Sequence, residues 1–107
     1  MHADPWYLEG IVSAIVKAAD PLRIILFGSA ARGEMTAGSD VDLLVVMPDG
    51  SHRRKTAQLL YRSIRGAGLP FDLVVATAKD LTKFAANPSL IYGTALREGR
   101  TLYVRAA

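Results

Sequence analysis

The sequence predicts one α/β domain in which helices pack against a small sheet. Short apolar runs bounded by glycine or proline alternate along the chain with segments whose apolar residues recur at helical spacing. About half of the 107 residues are apolar, which is enough for a small core. No linker-like stretch separates two parts of the chain, so we expect residues 1–107 to form a single domain.

The first half of the chain predicts one helix and two strands. A helix is expected over Pro5–Ala19, because its apolar residues repeat at i, i+3 and i+4, and Pro21 ends it. The apolar run Arg23–Phe27 then predicts a buried strand that Gly28 terminates. A second buried strand is expected over Asp42–Met47, before a Pro-Asp-Gly turn signal.

A second long helix is expected after Ser51, which we interpret as its N-cap. Gly66 and Gly68 mark the end of this helix, since glycine is the usual residue just beyond a helix C-terminus. The side chains expected on its apolar face are Ala57, Leu60, Tyr61 and Ile64.

The last third of the chain predicts two strands separated by helical segments. The run Phe71–Ala76 predicts a strand in which a single acid, Asp72, interrupts apolar residues. A carboxylate in such a run is costly unless it has a partner or a function. Residues Asp80–Ala86 predict a short helix, and Pro88–Arg97 predicts another that begins at its proline. The final strand is expected over Thr101–Val104.

The composition excludes several classes of protein. The chain has no cysteine, so disulfides and thiolate metal sites are excluded. No apolar run approaches the roughly 20 residues that a membrane span requires. The first residues lack the charged start and apolar core of a secretory signal, which predicts a cytoplasmic protein. A net charge of +3, spread along the chain, does not favour a nucleic-acid partner.

The Gly28-Ser29 pair lies where a strand ends and a short helix is expected to begin. Gly28 lets the backbone approach a phosphate closely, and Ser29 offers its amide and hydroxyl at the N-terminus of that helix. Arg32, in the first turn, can reach the same phosphates with its guanidinium. An isolated Gly-Ser is more often only a helix cap, so this feature alone does not decide the function.

Two aspartates, Asp40 and Asp42, lie two residues apart at the start of the second strand. Side chains at this spacing on a strand point to the same side, so the two carboxylates can converge on a divalent cation. Magnesium prefers such oxygen ligands and keeps water or phosphate oxygens in its other positions. If the strand that carries Asp72 lies beside Asp42, Asp72 supplies a third carboxylate, which can also accept the proton of an attacking hydroxyl.

Each of these features alone has an ordinary structural explanation. An Asp-x-Asp before a strand is usually turn chemistry, and a lone strand acid often has a local partner at a sheet edge. Their order along the chain is what favours a function: strand, Gly-Ser, short helix, Asp-x-Asp and a later strand acid. This order predicts transfer chemistry on a nucleotide.

The segments 27–33 and 38–45 closely resemble the signature of the polymerase-beta-like nucleotidyltransferase superfamily, in its minimal nucleotidyltransferase branch. Residues 71–75 fall where that family places its third carboxylate, and residues 91–99 are similar to its C-terminal helix. The resemblance covers most of the chain. It implies the palm-like fold of the superfamily, a small mixed sheet with flanking helices in a single domain.

The resemblance also implies a reaction and a set of roles. An acceptor hydroxyl attacks the α-phosphate of a nucleoside triphosphate, here ATP, and pyrophosphate leaves. Magnesium is implied at three carboxylates, which are Asp40, Asp42 and Asp72. The implied nucleotide-binding residues are Gly28, Ser29, Arg32 and Ser39.

Minimal members of this family are commonly encoded beside a HEPN toxin and act as its antitoxin, and some transfer AMP onto a toxin tyrosine. The resemblance therefore implies a protein adenylyltransferase in a hetero-oligomer with such a toxin. Two alternatives stay open. One is an antitoxin that neutralises its partner by binding without catalysis. The other is a nucleotidyltransferase that acts on RNA or a small molecule, for which the basic cluster His52–Lys55 is the one local indication.

Overall fold

The described residues form a sheet with helical segments on both of its faces. The computed structural model describes residues 6–28, 41–64, 71–84, 95 and 97–106. The helices are α1 (Trp6–Ala19), α2 (Arg53–Ser63) and α3 (Ala78–Phe84). The strands are β1 (Arg23–Phe27), β2 (Val41–Met47), β3 (Phe71–Thr77) and β4 (Arg100–Val104). These bounds agree with the predicted elements to within a few residues.

The four strands follow the order β3-β2-β1-β4 in one mixed sheet. Strand β1 is antiparallel to both of its neighbours, whereas β2 and β3 are parallel and are connected through α2. This confirms the predicted α/β class with a small mixed sheet. Of the helix predicted over Pro88–Arg97, Ala95 and Arg97 are helical, and the rest lies outside the described residues.

The two central strands are buried on both faces, which explains why they read as continuous apolar runs. One face of the sheet packs against α1 and α2 and the other against α3 and Ala95. The first core contains, among others, Leu8, Ile11, Ile15, Ile24, Leu43, Val45 and Leu60. The second contains Ile25, Phe27, Leu44, Val46, Ala76, Leu81 and Ala95.

The N-cap of α2 is His52, so the prediction of Ser51 as the cap was wrong. The backbone N–H of Ser51 donates to the carbonyl of Pro48 at 3.2 Å and so closes the preceding turn. His52 is extended, and its Nδ1 accepts from the N–H of Lys55 at 3.2 Å. Ser51 is therefore the last residue of the Pro-Asp-Gly-Ser turn, and His52, the next residue, caps the helix.

Helix α3 begins at Ala78, two residues earlier than predicted, because Thr77 and Asp80 cap it reciprocally. The N–H of Thr77 donates to Asp80 Oδ2 at 3.0 Å, and the N–H of Asp80 donates to Thr77 Oγ1 at 3.2 Å. This pair is a capping box, which satisfies two amides that a helix start would otherwise leave unbonded. Within the described parts of the chain, every helix is too short or too polar to cross a lipid bilayer.

Candidate active site

The ends of three strands place Gly28, Asp42 and Asp72 side by side. Phe27, the last residue of β1, pairs with Asp42, and Asp42 pairs with Asp72 across the parallel ladder of β2 and β3. Residues paired across a ladder point to the same face, and adjacent strands lie about 4.8 Å apart. The carboxylates of Asp42 and Asp72 therefore project from neighbouring positions on one face of the sheet, which is the arrangement that a third carboxylate at Asp72 requires.

Gly28 turns the chain away from β1 directly against Asp42. Its φ is +75°, a left-handed conformation that residues with a side chain rarely adopt. A Cβ atom at this position would collide with Oδ2 of Asp42. Glycine is therefore required twice, for its backbone angle and for the space that the carboxylate occupies. The arrangement brings a carboxylate to the start of the segment that is predicted to hold phosphates.

Asp72 lies on the edge strand β3, where its side chain is exposed and accepts a hydrogen bond from Tyr61 of α2. The Tyr61 hydroxyl donates to Asp72 Oδ1 at 3.2 Å and accepts from the backbone N–H of Leu73 at 3.0 Å. The ring of Tyr61 stacks on Phe71, with centroids 5.3 Å apart and planes 21° apart. Tyr61 thus joins α2 to the strand that carries the third acid.

The contacts of Tyr61 correct its predicted place among the apolar residues of α2. The residue is 39% exposed, because its ring reaches over the edge of β3 instead of entering the core. Burial raises the pKa of the Tyr61 hydroxyl, the N–H of Leu73 opposes this, and the hydrogen bond and charge of Asp72 raise it further. The group is therefore a neutral donor near pH 7. The sequence did contain a signal for this contact. Tyr61 lies on an apolar helix face just before an acid-bearing strand, and the hydroxyl of such a tyrosine usually has a hydrogen-bond partner.

Comparison with known proteins agrees with this geometry. Residues 8–99 match the family model of the nucleotidyltransferase domain. The chain belongs to the nucleotidyltransferase domain family. No curated protein matches its sequence at a significant level. The family match confirms the superfamily that the motifs indicated, and it supports transfer of a nucleotidyl group.

The fold of this nucleotidyltransferase domain is similar to that of a solved protein from Sulfolobus solfataricus. That crystal structure, at 1.40 Å resolution, carries a provisional assignment as a nucleotidyltransferase. The two chains are 20% identical with a TM-score of 0.63, and the match covers 92% of this chain and 78% of the other. At this identity the likeness concerns the fold alone, and it agrees with the palm-like fold that the motifs implied.

Four predicted site residues of the nucleotidyltransferase domain lie outside the described residues: Ser29, Arg32, Ser39 and Asp40. Their roles in nucleotide and metal binding stay predictions. Asp40 directly precedes Val41, the first residue of β2. Among the described residues, no three His, Cys, Asp or Glu side chains gather as a metal site.

The oxygen donors that are described fit magnesium in their chemistry. Asp42 and Asp72 are carboxylates on adjacent strands, and magnesium is bound by one or two carboxylates together with substrate phosphates. The Asp42 carboxylate lies against the backbone at Gly28, which it can do because position 28 has no side chain. The two described carboxylates are therefore of the ligand type that a magnesium-nucleotide complex requires.

The basic cluster His52–Lys55 lies at the other end of the sheet. His52 caps α2, and Arg53 Nη1 lies 3.1 Å from Asp80 Oδ2, so two of its members have contacts within the chain. Asp80 lies in α3 just beyond Thr77, the last residue of β3, which is roughly 16 Å along that strand from Asp72. Two of the four residues of the cluster therefore have a role in the fold. This weakens the cluster as an indication of an RNA partner.

Proposed function

We propose that this nucleotidyltransferase domain is a magnesium-dependent protein adenylyltransferase, which transfers AMP from ATP to a tyrosine hydroxyl of a partner HEPN toxin and so acts as its antitoxin. The observation that carries the catalytic part is the pairing of Asp42 with Asp72 beside Gly28. The resemblance of residues 27–33 and 38–45 to the minimal branch supports the partner.

The proposed reaction needs each of these residues for a different task. The acceptor oxygen attacks the α-phosphorus of ATP, a new P–O bond forms, and the bond to the bridging oxygen breaks so that pyrophosphate leaves. Asp72 accepts the proton of the acceptor hydroxyl, because a carboxylate at the exposed end of β3 is open to an incoming side chain. The backbone at Gly28 lies against the triphosphate, with Ser29, Arg32 and Ser39 as further nucleotide-binding residues.

Magnesium would be held by Asp42 and Asp72 together with Asp40. When bound, the ion offsets the charge of the triphosphate and of the pyrophosphate leaving group. Two adjacent carboxylates repel each other, and a structural role gives no reason to keep that repulsion. This favours catalysis over neutralisation by binding alone.

An intact-mass assay tests the proposal. The protein is mixed with the product of its neighbouring gene, magnesium and each nucleoside triphosphate in turn. We expect the partner to gain the mass of one AMP with ATP, and this gain to fall at least about a hundredfold with Asp42→Ala, as expected for loss of a metal ligand at a transfer site. The matched control is Asp49→Ala, which removes an aspartate from the far end of the same strand pair and should keep full transfer.

Three results would overturn parts of this proposal. A stable complex without a mass gain on either protein would favour neutralisation by binding. A gain with another triphosphate would correct the choice of ATP. Transfer to RNA or to a small molecule, with none to the partner, would replace the protein acceptor. If transfer to RNA were found, joint neutralisation of Arg53, Arg54 and Lys55 would show whether the basic cluster contributes.

A further inference from the structure

We infer that Tyr61 is a positioning residue for the proposed transfer: its hydroxyl fixes one oxygen of Asp72, so that the other oxygen is presented to the metal and the acceptor. This inference rests on the proposed function, because it assigns a task to a contact of the same site. Neither the motifs nor the family match assigns a role to this residue.

The direction of the hydrogen bonds at Tyr61 follows from its single proton. A phenol has one O–H donor, and its oxygen also accepts. The backbone N–H of Leu73 can only donate, so the oxygen of Tyr61 accepts there at 3.0 Å. The phenolic proton is then available for Oδ1 of Asp72 at 3.2 Å. The hydroxyl therefore bridges a backbone amide of β3 and the side chain of the residue before it.

The position of that hydroxyl is set by the core and not by the exposed surface. Leu60, the residue before Tyr61 in α2, is fully buried, and Leu73 packs in the same core from the strand side. The stack on Phe71 fixes the ring between these two elements. A carboxylate at an exposed strand edge would otherwise sample several rotamers, and each of them would aim its oxygens differently. The tyrosine restricts this choice without covering the carboxylate.

The chemistry of the donor also suits a metal ligand. An arginine or lysine at this place would hold Asp72 with a full positive charge, and that charge would repel a divalent cation. The hydroxyl of Tyr61 is neutral, so it adds no positive charge beside Asp72, whose carboxylate oxygens have further lone pairs for other partners. Groups that orient metal ligands in this way typically affect metal affinity or activity about tenfold or more when they are removed.

The test compares Tyr61→Phe with Tyr103→Phe. The first variant keeps the ring and its stack but removes the hydroxyl, and the second removes a hydroxyl from β4, at the opposite edge of the sheet. Mn²⁺ alone is titrated into each protein, and free Mn²⁺ is followed by electron paramagnetic resonance. We expect Tyr61→Phe to weaken Mn²⁺ binding about tenfold and to lower kcat of transfer, with KM for ATP changed little. Tyr103→Phe should bind Mn²⁺ like the unaltered protein.

A third variant, Phe71→Leu, separates positioning from a general loss of stability. It keeps the hydroxyl but loosens the ring, so it should destabilise the fold more than Tyr61→Phe and weaken Mn²⁺ binding less. If Mn²⁺ affinity instead followed the unfolding midpoint across these variants, the role of Tyr61 would be structural and the inference would be wrong. Unchanged Mn²⁺ binding in Tyr61→Phe, with binding and transfer lost in Asp42→Ala, would overturn this inference and leave the proposed function standing. Absence of both Mn²⁺ binding and transfer in the unaltered protein would overturn the proposed function itself.

Discussion

The two ends of the parallel strand pair β2–β3 both carry aspartates, but with different partners. At the far end, Asp80 accepts from the N–H of Thr77 at 3.0 Å and from Arg53, and Asp49 accepts from the N–H of Lys79 at 2.8 Å. At the end where the strands begin, Asp42 lies against Gly28, and Asp72 beside it accepts from the neutral hydroxyl of Tyr61. The same residue type therefore occurs in two kinds of environment.

The comparison shows that the partners of a carboxylate indicate its role better than its residue type does. The backbone amide of Thr77 and the guanidinium of Arg53 hold the Asp80 carboxylate and lower its pKa, with the Thr77 amide as the largest cause. Such a carboxylate is committed to joining elements of the fold. Two carboxylates placed side by side, one of which accepts from a neutral hydroxyl, offer oxygen ligands of the kind that a divalent cation binds. The far end thus contributes stability, and the near end is suited to chemistry.

The largest effect on stability is expected at Gly28. Gly28→Ala should lower the free energy of unfolding by about 2–4 kcal/mol, because it combines an unfavourable positive φ with a collision against Asp42. Gly50→Ala is the matched control, since Gly50 also has a positive φ, of +91°, but a Cβ there meets nothing within 4 Å. The control should lose only about 1 kcal/mol. Equal losses by urea unfolding would show that the Asp42 carboxylate moves away at no cost.

Removing an aspartate should change the free energy of unfolding differently at the two ends. Asp80→Ala should destabilise the protein by about 1–2 kcal/mol, because it removes one half of the capping box of α3. Asp42→Ala should leave stability unchanged or slightly raised, since it relieves repulsion with Asp72, while the proposed transfer falls at least about a hundredfold. Urea unfolding and the transfer assay, both run on both variants, check this. A strong loss of stability in Asp42→Ala would mean that its carboxylate mainly supports the fold.

Local patterns predicted the elements and part of the site. The strand Arg23–Phe27 has the predicted bounds, because an apolar run between breakers leaves little choice. The sequence left open whether the strand of Asp72 lies beside Asp42, and the parallel register pairs the two residues directly. The backbone at Gly28 was predicted to approach a phosphate closely, and the structure adds the contact of Gly28 with Asp42.

The features that sequence reasoning missed depend on three-dimensional geometry. The N-cap of α2 is His52 and not Ser51, because the backbone N–H of Ser51 closes the preceding turn. The role of Tyr61 was missed because its spacing fits an apolar helix face, while its hydroxyl reaches Asp72 and Leu73 only because α2 packs beside β3. Helical periodicity identifies which side of a helix is apolar, but not what the end of a long side chain contacts.

The pH dependence of stability should distinguish the far end as well. The folded pKa of Asp80 is lowered from its ordinary value, so its contribution is present above the unfolded pKa of about 3.9 and is lost as the pH falls through the folded pKa. The stability difference between the unaltered protein and Asp80→Ala should thus be constant between about pH 5 and 8 and should shrink below about pH 4. Urea unfolding across this range measures it. A difference that stayed constant in acid would mean that the carboxylate charge is not what caps α3.

The smallest effect is expected for Arg53, which pairs with Asp80 across the far end at 3.1 Å while its side chain is 54% exposed. Arg53→Gln should cost at most about 0.5 kcal/mol, because exposed ion pairs contribute little and a cation in the first turn of α2 opposes the helix dipole. Unfolding at low and high salt should show that even this loss decreases as salt screens the pair. A loss as large as that of Asp80→Ala would mean that the ion pair, and not the Thr77 amide, holds Asp80. The far end would then be held by charge pairing, whereas Asp72 at the near end accepts from a neutral hydroxyl.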